Sequence, residues 1–507
     1  MSWFKKRPGG GQEAADRRAA RELEQFGYRQ QLARSMGAFS SFAVSFSLIS
    51  IITGIFANFG HGLRHAGPAV IWSWVVVVIG QTLIALVVAE LAARFPLSGY
   101  GYQWASRLVG PQFGFFVGWM LLAQWVTGFP GICKTLAEQL HGMIGLYWQQ
   151  APPVSWITVA IISVIAVIHL WGIRLAALVN DAGVIAEIIG AGALTLVLLA
   201  VYLVSGDQPL SFLANSTNHW TGAAASPQAF ALSLLLGAWC ITGFEGAADL
   251  AEETHRPRQT VPRAVIASVL GSGVGGFLML AVFVLSVPSL SAAQASEHPL
   301  LEVIHARLGD RAMPAFLALI VVSIFACGLA SMAATSRMIF ALARDNMLPH
   351  SSWLSAVDSV HRAPRNAIFI VWCLSALVVL LLERFDSLNV ITSVATVAGY
   401  LGYGGIAFSA LVGLRDAEAI EGFELRRWRA PVAVAGIAWT MFIVVALTMP
   451  SDAAEFRYAP LLATSVAIAA GGTLFLLVVR PRLQRGEAGP PQTADDKGSV
   501  NPAPAGQ

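Results

Sequence analysis

Residues 47–56, SLISIITGIF, and residues 240–246, CITGFEG, lie inside two long apolar runs, and the behaviour of their backbone decides the fold. The first holds Ser47, Ser50, Thr53 and Gly54, the second Thr242, Gly243, Glu245 and Gly246; hydroxyls, β-branched residues and glycine together make a poor continuous helix. Hydrocarbon offers no water to a freed N–H or C=O, so irregular backbone at that depth survives only where it lines a cavity or is packed in protein. Glycine and serine also serve close helix packing, and one such stretch alone would ask for nothing more. Two at equivalent places, five spans apart and with Glu245 beside the second, favour real breaks, because an ionisable group inside a span costs roughly 2.5–3.5 kcal/mol.

Working outward from these stretches, apolar runs long enough for a bilayer lie near 38–59, 68–93, 113–140, 154–173, 179–204 and 228–251. Six more lie near 263–287, 313–341, 364–382, 388–413, 431–449 and 459–479. The chain of 507 residues is 56% hydrophobic and 12% charged, with a mean hydropathy of +0.65, which is too apolar for a water-soluble domain. The expected class is therefore an all-α membrane protein of twelve transmembrane helices with broken helices 1 and 6. Broken helices at matching places are what a carrier built from inverted repeats requires, since they expose main-chain groups and dipole ends at the midplane.

Basic residues set the orientation. Lys5, Lys6, Arg7, Arg17, Arg18 and Arg21 precede the first span, and most later arginines, among them Arg94, Arg256, Arg344 and Arg427, fall on the same side. The opposite loops hold Arg64, Arg307, Arg311, Arg384 and Arg457. The expectation is an inner (plasma) membrane protein, multi-pass, with both termini cytoplasmic and no cleaved signal. Cys133, Cys240, Cys327 and Cys373 all lie in apolar runs and read as small hydrophobes rather than as a disulfide framework. A net charge of +3 gives no support to nucleic acid binding.

Four stretches carry a family resemblance: GFEGAADLAEETHRPRQTVPRA (243–264), PLSGYGYQWASRL (96–108), SRMIFALARDNMLPHSSWL (336–354) and FGYRQQLARSMGAFSSFAVSFSL (26–48). In this order they resemble the amino acid-polyamine-organocation (APC) superfamily, in its branch of amino acid and choline transporters that includes GABA permeases. The resemblance implies a LeuT-like core, residues 38–413, of two inverted five-helix repeats. Helices 11 and 12 would follow in 414–482, between a cytoplasmic segment 1–37 and a disordered tail 483–507. The family's glycine-rich turn in the first helix reads Ile52-Thr53-Gly54 here, which implies a shorter unwound stretch.

The resemblance also implies a site. A substrate carboxylate would meet the amides of Thr53, Gly54 and Ile55, at a helix end worth about half a positive charge. Carbonyls around Cys240, Ile241, Thr242 and Gly243 would receive the amine, with the Trp239 ring covering the cation. Glu245 is expected to be the amine's counter-charge, a gate or a proton carrier. Ser331, with Ser323, Thr335 and Ser336, occupies the place where sodium-coupled relatives of the fold complete a cation site, though packing explains these hydroxyls equally well. In the fifth span, VNDAGVIAEIIGAGAL (179–194), Glu187 stands where related proton-coupled carriers place a lysine. A carboxylate taken out of water is easier to protonate, so Glu187 is the candidate proton-coupling residue; a structural hydrogen bond is the plainer alternative.

Outside the helix breaks, Asp249, Glu252 and Glu253 lie within reach of Arg256 and Arg258, and a structural ion pair explains them at least as well as a role in the site. Tyr100, Tyr102 and Trp104 are expected to anchor a loop at the interface, and Lys134 to reach the outside or the cavity. The functional expectation is a secondary carrier of an amino acid or related amine such as GABA, by proton symport or exchange; a polyamine or choline carrier is the alternative within the fold. No nucleotide-binding motif occurs, so gradients would supply the energy. No cofactor, metal or obligate protein partner is implied, and no zinc pair or GxSxG turn supports an enzyme. A channel or sensor without coupled transport is the alternative of another class.

Overall fold

The computed structural model describes residues 21, 23–147, 151–205, 208–296, 298–382, 388–415, 418, 420, 422–449 and 458–491. Among them there is no strand, only the isolated bridges Met36 with Thr254 and Thr217 with Ala224. Eight helical segments are long and apolar enough to cross a membrane, and three shorter apolar helices accompany them.

The chain opens with α1 (Ala38–Ile49) and α2 (Ile51–Ala66), which meet at Ser50, followed by α3 (Val70–Arg94) and the short α4 (Tyr100–Leu108). Then come α5 (Pro111–Tyr147), α6 (Val154–Leu170) and α7 (Ile173–Ser205). The second interrupted run is α8 (Pro227–Ser233), α9 (Leu235–Cys240) and α10 (Gly246–Asp249). The remaining long helices are α11 (Pro257–Leu285), α12 (Leu290–Ala295) and α13 (Pro299–Arg344), the last bent at Gly309. After α14 (Ser351–Leu354) the chain forms α15 (Arg365–Leu382), α16 (Leu388–Gly413), α17 (Arg429–Thr448) and α18 (Ala459–Leu474).

The two interrupted runs sit at the centre: α2 packs on α9, and α1 on α7, α11 and α13. Around them α5 lies between α13 and α16, and α3 lies against α11. The outermost helices face away from protein; Ile189, Leu203 and Val204 on α7 and Val466 on α18 are exposed, as apolar side chains are when lipid is the solvent.

At the end of the bundle where α1 begins, the near end, the four stretches that carry the family resemblance converge. Arg337 pairs with Glu253 at 2.8 Å and Arg344 with Glu252 at 3.0 Å, while Glu252 and Asp249 accept from the backbone of Ser98 and Gly99. Tyr28 donates to both oxygens of Asp345, which also receives Tyr102 and Gln103, and the Arg344 guanidinium lies 3.8 Å above the Tyr28 ring. Two expectations are corrected here. Glu252 and Glu253 take their cations from α13 rather than from Arg256 and Arg258, and Asp249 accepts the Gly99 amide. Tyr100, Tyr102 and Trp104 are fully buried, bonded to Glu245, Asp345 and the Phe95 carbonyl, not lodged at an interface.

Lys134 pairs with Glu138 one turn on, at 3.9 Å. All four cysteines are free. The segment before α1 is packed, with Leu23, Tyr28, Leu32 and Met36 buried. Of the tail, the Gly489 amide bonds the Asp345 carbonyl, so residues up to 491 cover the near end instead of lying free; 492–507 lie outside the described residues.

Candidate functional site

The first break is one residue long. Ser50 takes φ 31°, ψ 90°, a region non-glycine residues enter only when their surroundings hold them there. Its hydroxyl explains the hold. Oγ accepts from the Thr53 amide at 3.3 Å and lies 2.6 Å from the Thr53 hydroxyl, leaving its own proton to donate to Glu187 Oε1 at 3.0 Å. Glu187 is fully buried on α7, and the same Oε1 accepts from the Ile52 amide at 3.4 Å. The carboxylate thus sits at the positive end of α2, where helix geometry leaves amides unpaired.

The second break is longer. Between Cys240 and Gly246 the chain passes Ile241 at φ −88°, ψ 55° and Gly243 at φ 85°, which glycine reaches without a Cβ clash. Side chains from other helices take up the freed groups. Gln81 donates to the Ile241 carbonyl at 2.6 Å, Ser45 to the Phe244 carbonyl at 2.6 Å, and the Gly243 amide reaches the Tyr403 hydroxyl at 3.4 Å. The Thr242 hydroxyl bonds the Trp239 carbonyl.

Just to the near side of this break, Glu245 is fully buried with no cation in its hydrogen-bond set. Both of its oxygens lie 2.8–2.9 Å from the Tyr403 hydroxyl, with Tyr100 at 3.4 Å and Gln124 at 3.5 Å. Removing the best donor should be felt in both stability and function. We expect Tyr403→Phe to cost about 1–3 kcal/mol, with a several-fold fall in uptake, read from thermal unfolding and initial rates.

Between the breaks lies a small cavity of about 30 Å3. Leu48, Ile49 and Thr53 form one wall, Trp239, Cys240 and Thr242 the opposite one, and Gln124, Trp125 and Cys327 the sides; no lining side chain is charged. Toward the far end a second cavity of about 400 Å3 begins one turn along α2, lined by Phe56, Gly60, His61, Arg64, Glu138 and His298 among others. The ion pairs described above lie on the opposite, near side of the small cavity.

Of the residues expected at the site, Thr53, Trp239, Cys240 and Thr242 line the small cavity. Gly54 lies against Cys240, where an added Cβ would come 2.9 Å from the Cys240 Cα. Ile55 is buried in the same half-helix, Ile241 and Gly243 form the second break, and Glu245 sits beneath it. The Thr53 and Gly54 amides named for a substrate carboxylate have partners within the protein here: α2 begins at Ile51, the Gly54 amide bonds the Ser50 carbonyl, and the Thr53 amide is capped by the Ser50 hydroxyl. Ser331 is buried one turn beyond Cys327 but is not in the cavity wall. Thr335 and Ser336 bond carbonyls of their own helix. Sequence reasoning missed Gln81, Gln124, Trp125, Cys327 and Tyr403; they come from four helices far apart in the chain, and no local pattern marks them.

The chain is similar to known proteins along most of its length. The rice homolog of the amino-acid permease BAT1 (Oryza sativa) is 27% identical over 488 residues, covering 90% of this chain and 92% of the relative. BAT1 of Arabidopsis thaliana is 26% identical, covering 84% of this chain and 88% of the relative, and the fission yeast thiamine transporter thi9 (Schizosaccharomyces pombe) is 25% identical, covering 88% and 83%. The family model described as amino acid permease matches residues 36–471, from the turn before α1 into α18, with both interrupted runs inside it. The chain therefore belongs to the amino acid permease family of the APC superfamily, and is a multi-pass membrane transporter rather than an enzyme.

Proposed function

We propose that this protein is a secondary carrier of an amino acid or a related small amine, GABA being the first candidate, working by alternating access with proton symport or exchange. Polyamines, choline and, in view of the thiamine transporter among the relatives, thiamine are the other organic cations to test. One observation carries the reading: two interrupted helices face each other across a cavity walled by two tryptophans and uncharged polar groups. A bound amine would meet π faces and the carbonyl ends of α1 and α9, and a cavity this small must widen to take it.

Twelve passes are the count this reading needs. The segment Ala38–Arg94, interrupted at residues 67–69, would make two passes, and the three shorter apolar helices would supply the rest. Core 38–413 would hold the two inverted five-helix repeats and 414–482 the last pair. Basic residues gather at the near end, which would be cytoplasmic in the plasma membrane with both termini. Glu187, at the first break, would be the residue that takes up and releases the proton, and Glu245, tied to Tyr403 and Tyr100, the gate beneath the substrate.

Counterflow in proteoliposomes tests the proposal. Saturable uptake of labelled amine, accelerated by unlabelled amine inside, is the expected outcome. Flux that never saturates would make the protein a channel, and binding without flux a sensor.

A further inference from the structure

The anion site at the start of α2 is filled by the protein itself. An α-helix of sixteen residues begins at Ile51, and its first amides point toward the break. The donors can be followed one by one. Thr53 is capped by the Ser50 hydroxyl, Gly54 bonds the Ser50 carbonyl, and Ile52 is directed at Glu187. Glu187 is 0% exposed, and its second oxygen, Oε2, has no partner at all. Nothing positively charged holds it in place. The elements packed against α7 include α1, α2, α6, α11 and α13, and among their described residues no charged side chain faces Glu187; the titratable groups that do are the thiols of Cys240 and Cys327. Those two thiols, with Thr53, also belong to the cavity wall. A carboxylate on a solute in that cavity and the carboxylate of Glu187 would compete for one small set of donors in one uncharged pocket.

We infer that Glu187 is a specificity-determining residue whose charged carboxylate and a substrate carboxylate exclude each other at the N-terminus of α2. A carboxylate-bearing solute then binds only with a proton on Glu187, while an amine without a carboxylate binds whether or not that proton is present. This deepens the carrier reading and rests on it. It makes proton coupling a property of the solute as well as of the protein: amino acids bring a proton to the site, and simple organic cations do not. With a proton on Oε2 the group is neutral, so a solute carboxylate can approach the start of α2 without like-charge repulsion, and the proton stays on the Glu187 carboxyl until the solute departs.

The test uses matched pairs that differ by the carboxylate: GABA and propylamine, ornithine and putrescine, arginine and agmatine. The amine titrates in both members, so their comparison isolates the carboxylate. Binding to the purified full chain is measured by thermal shift and by competition in counterflow, at a series of pH values. In the wild type, the affinity for the amino acid should fall by up to about tenfold per pH unit above the point where Glu187 loses its proton, with a flat or rising profile for the decarboxylated partner. In Glu187→Gln the fall should vanish. Equal slopes for the two members overturn the inference, as does an amino acid refused at every pH, or a slope that persists in Glu187→Gln and so belongs to another group such as Glu245. The wild-type comparison decides the matter even if the variant does not insert. If no member of any pair supports counterflow, the carrier proposal for amines falls, and this inference with it; if counterflow occurs with equal slopes, only this inference does.

Discussion

Gly54→Ala is expected to bring uptake down at least about tenfold while the protein still inserts, the cost of overpacking being of order 1–3 kcal/mol. The two half-helices meet at this glycine. A Cβ on residue 54 would overlap the Cys240 side chain and lie 2.9 Å from its Cα, which is backbone and cannot rotate away. The added carbon must push α2 from α9, and that separation is the wall-to-wall distance of the cavity. Two companions make the result specific. Gly271 on α11 has nothing within 4 Å of the added carbon, so Gly271→Ala should leave uptake unchanged and, if anything, stabilise the helix. Cys240→Gly removes the side chain in the way and should restore part of the loss in the double variant. An unaffected Gly54→Ala carrier would mean that the two half-helices do not need this approach to work.

Arg337→Met is the second large effect. Arg337 is 1% exposed and Glu253 0%, with the guanidinium 2.8 Å and 3.3 Å from the two carboxylate oxygens. Taking away one partner leaves a buried carboxylate alone, which costs about 3–5 kcal/mol, whereas replacing both by apolar residues is often close to neutral. The single variant should therefore unfold at markedly lower temperature in detergent, and Arg337→Met/Glu253→Met should recover most of the loss. Glu253 is also where the segment before α1 is fixed, since its carbonyl accepts the amides of Ser35 and Met36. Loosening this pair opens the near end, so the single variant should also expose that face to thiol or protease probes more than the double one. Equal melting of single and double variants would show that the pair is not coupled.

The motifs that made the family legible are those that build the near end. Glu252, Gly99, Arg344 and Tyr28 stand in four separate stretches, each recognisable because ion pairs and backbone bonds at a buried junction tolerate few alternatives. The site above them was only half legible. Thr53, Trp239, Cys240 and Thr242 lie in the weakened stretches themselves and could be named from local composition. Gln81, Gln124 and Tyr403 satisfy groups that those stretches release, but they do so from other helices, 160 residues away in the case of Gln81 and the Ile241 carbonyl. Nothing in the letters around them says which carbonyl or carboxylate they will meet.

Both spans contain the same tripeptide, Ile52-Thr53-Gly54 and Ile241-Thr242-Gly243, and the two fold differently. The first is helical from Ile51 onward, its glycine kept for the approach of Cys240; the second is the break, its glycine at φ 85°. By itself the sequence determined that the chain lives in lipid, where its apolar runs lie, and that two of them are weak at mid-depth, because these follow from composition and local propensity. Which residue yields in each, Ser50 in one and Ile241 to Gly243 in the other, only the tertiary structure decided. A backbone group gives up its helical partner where another side chain waits for it, and Glu187, Gln81 and Tyr403 reach those places only when the helices are packed.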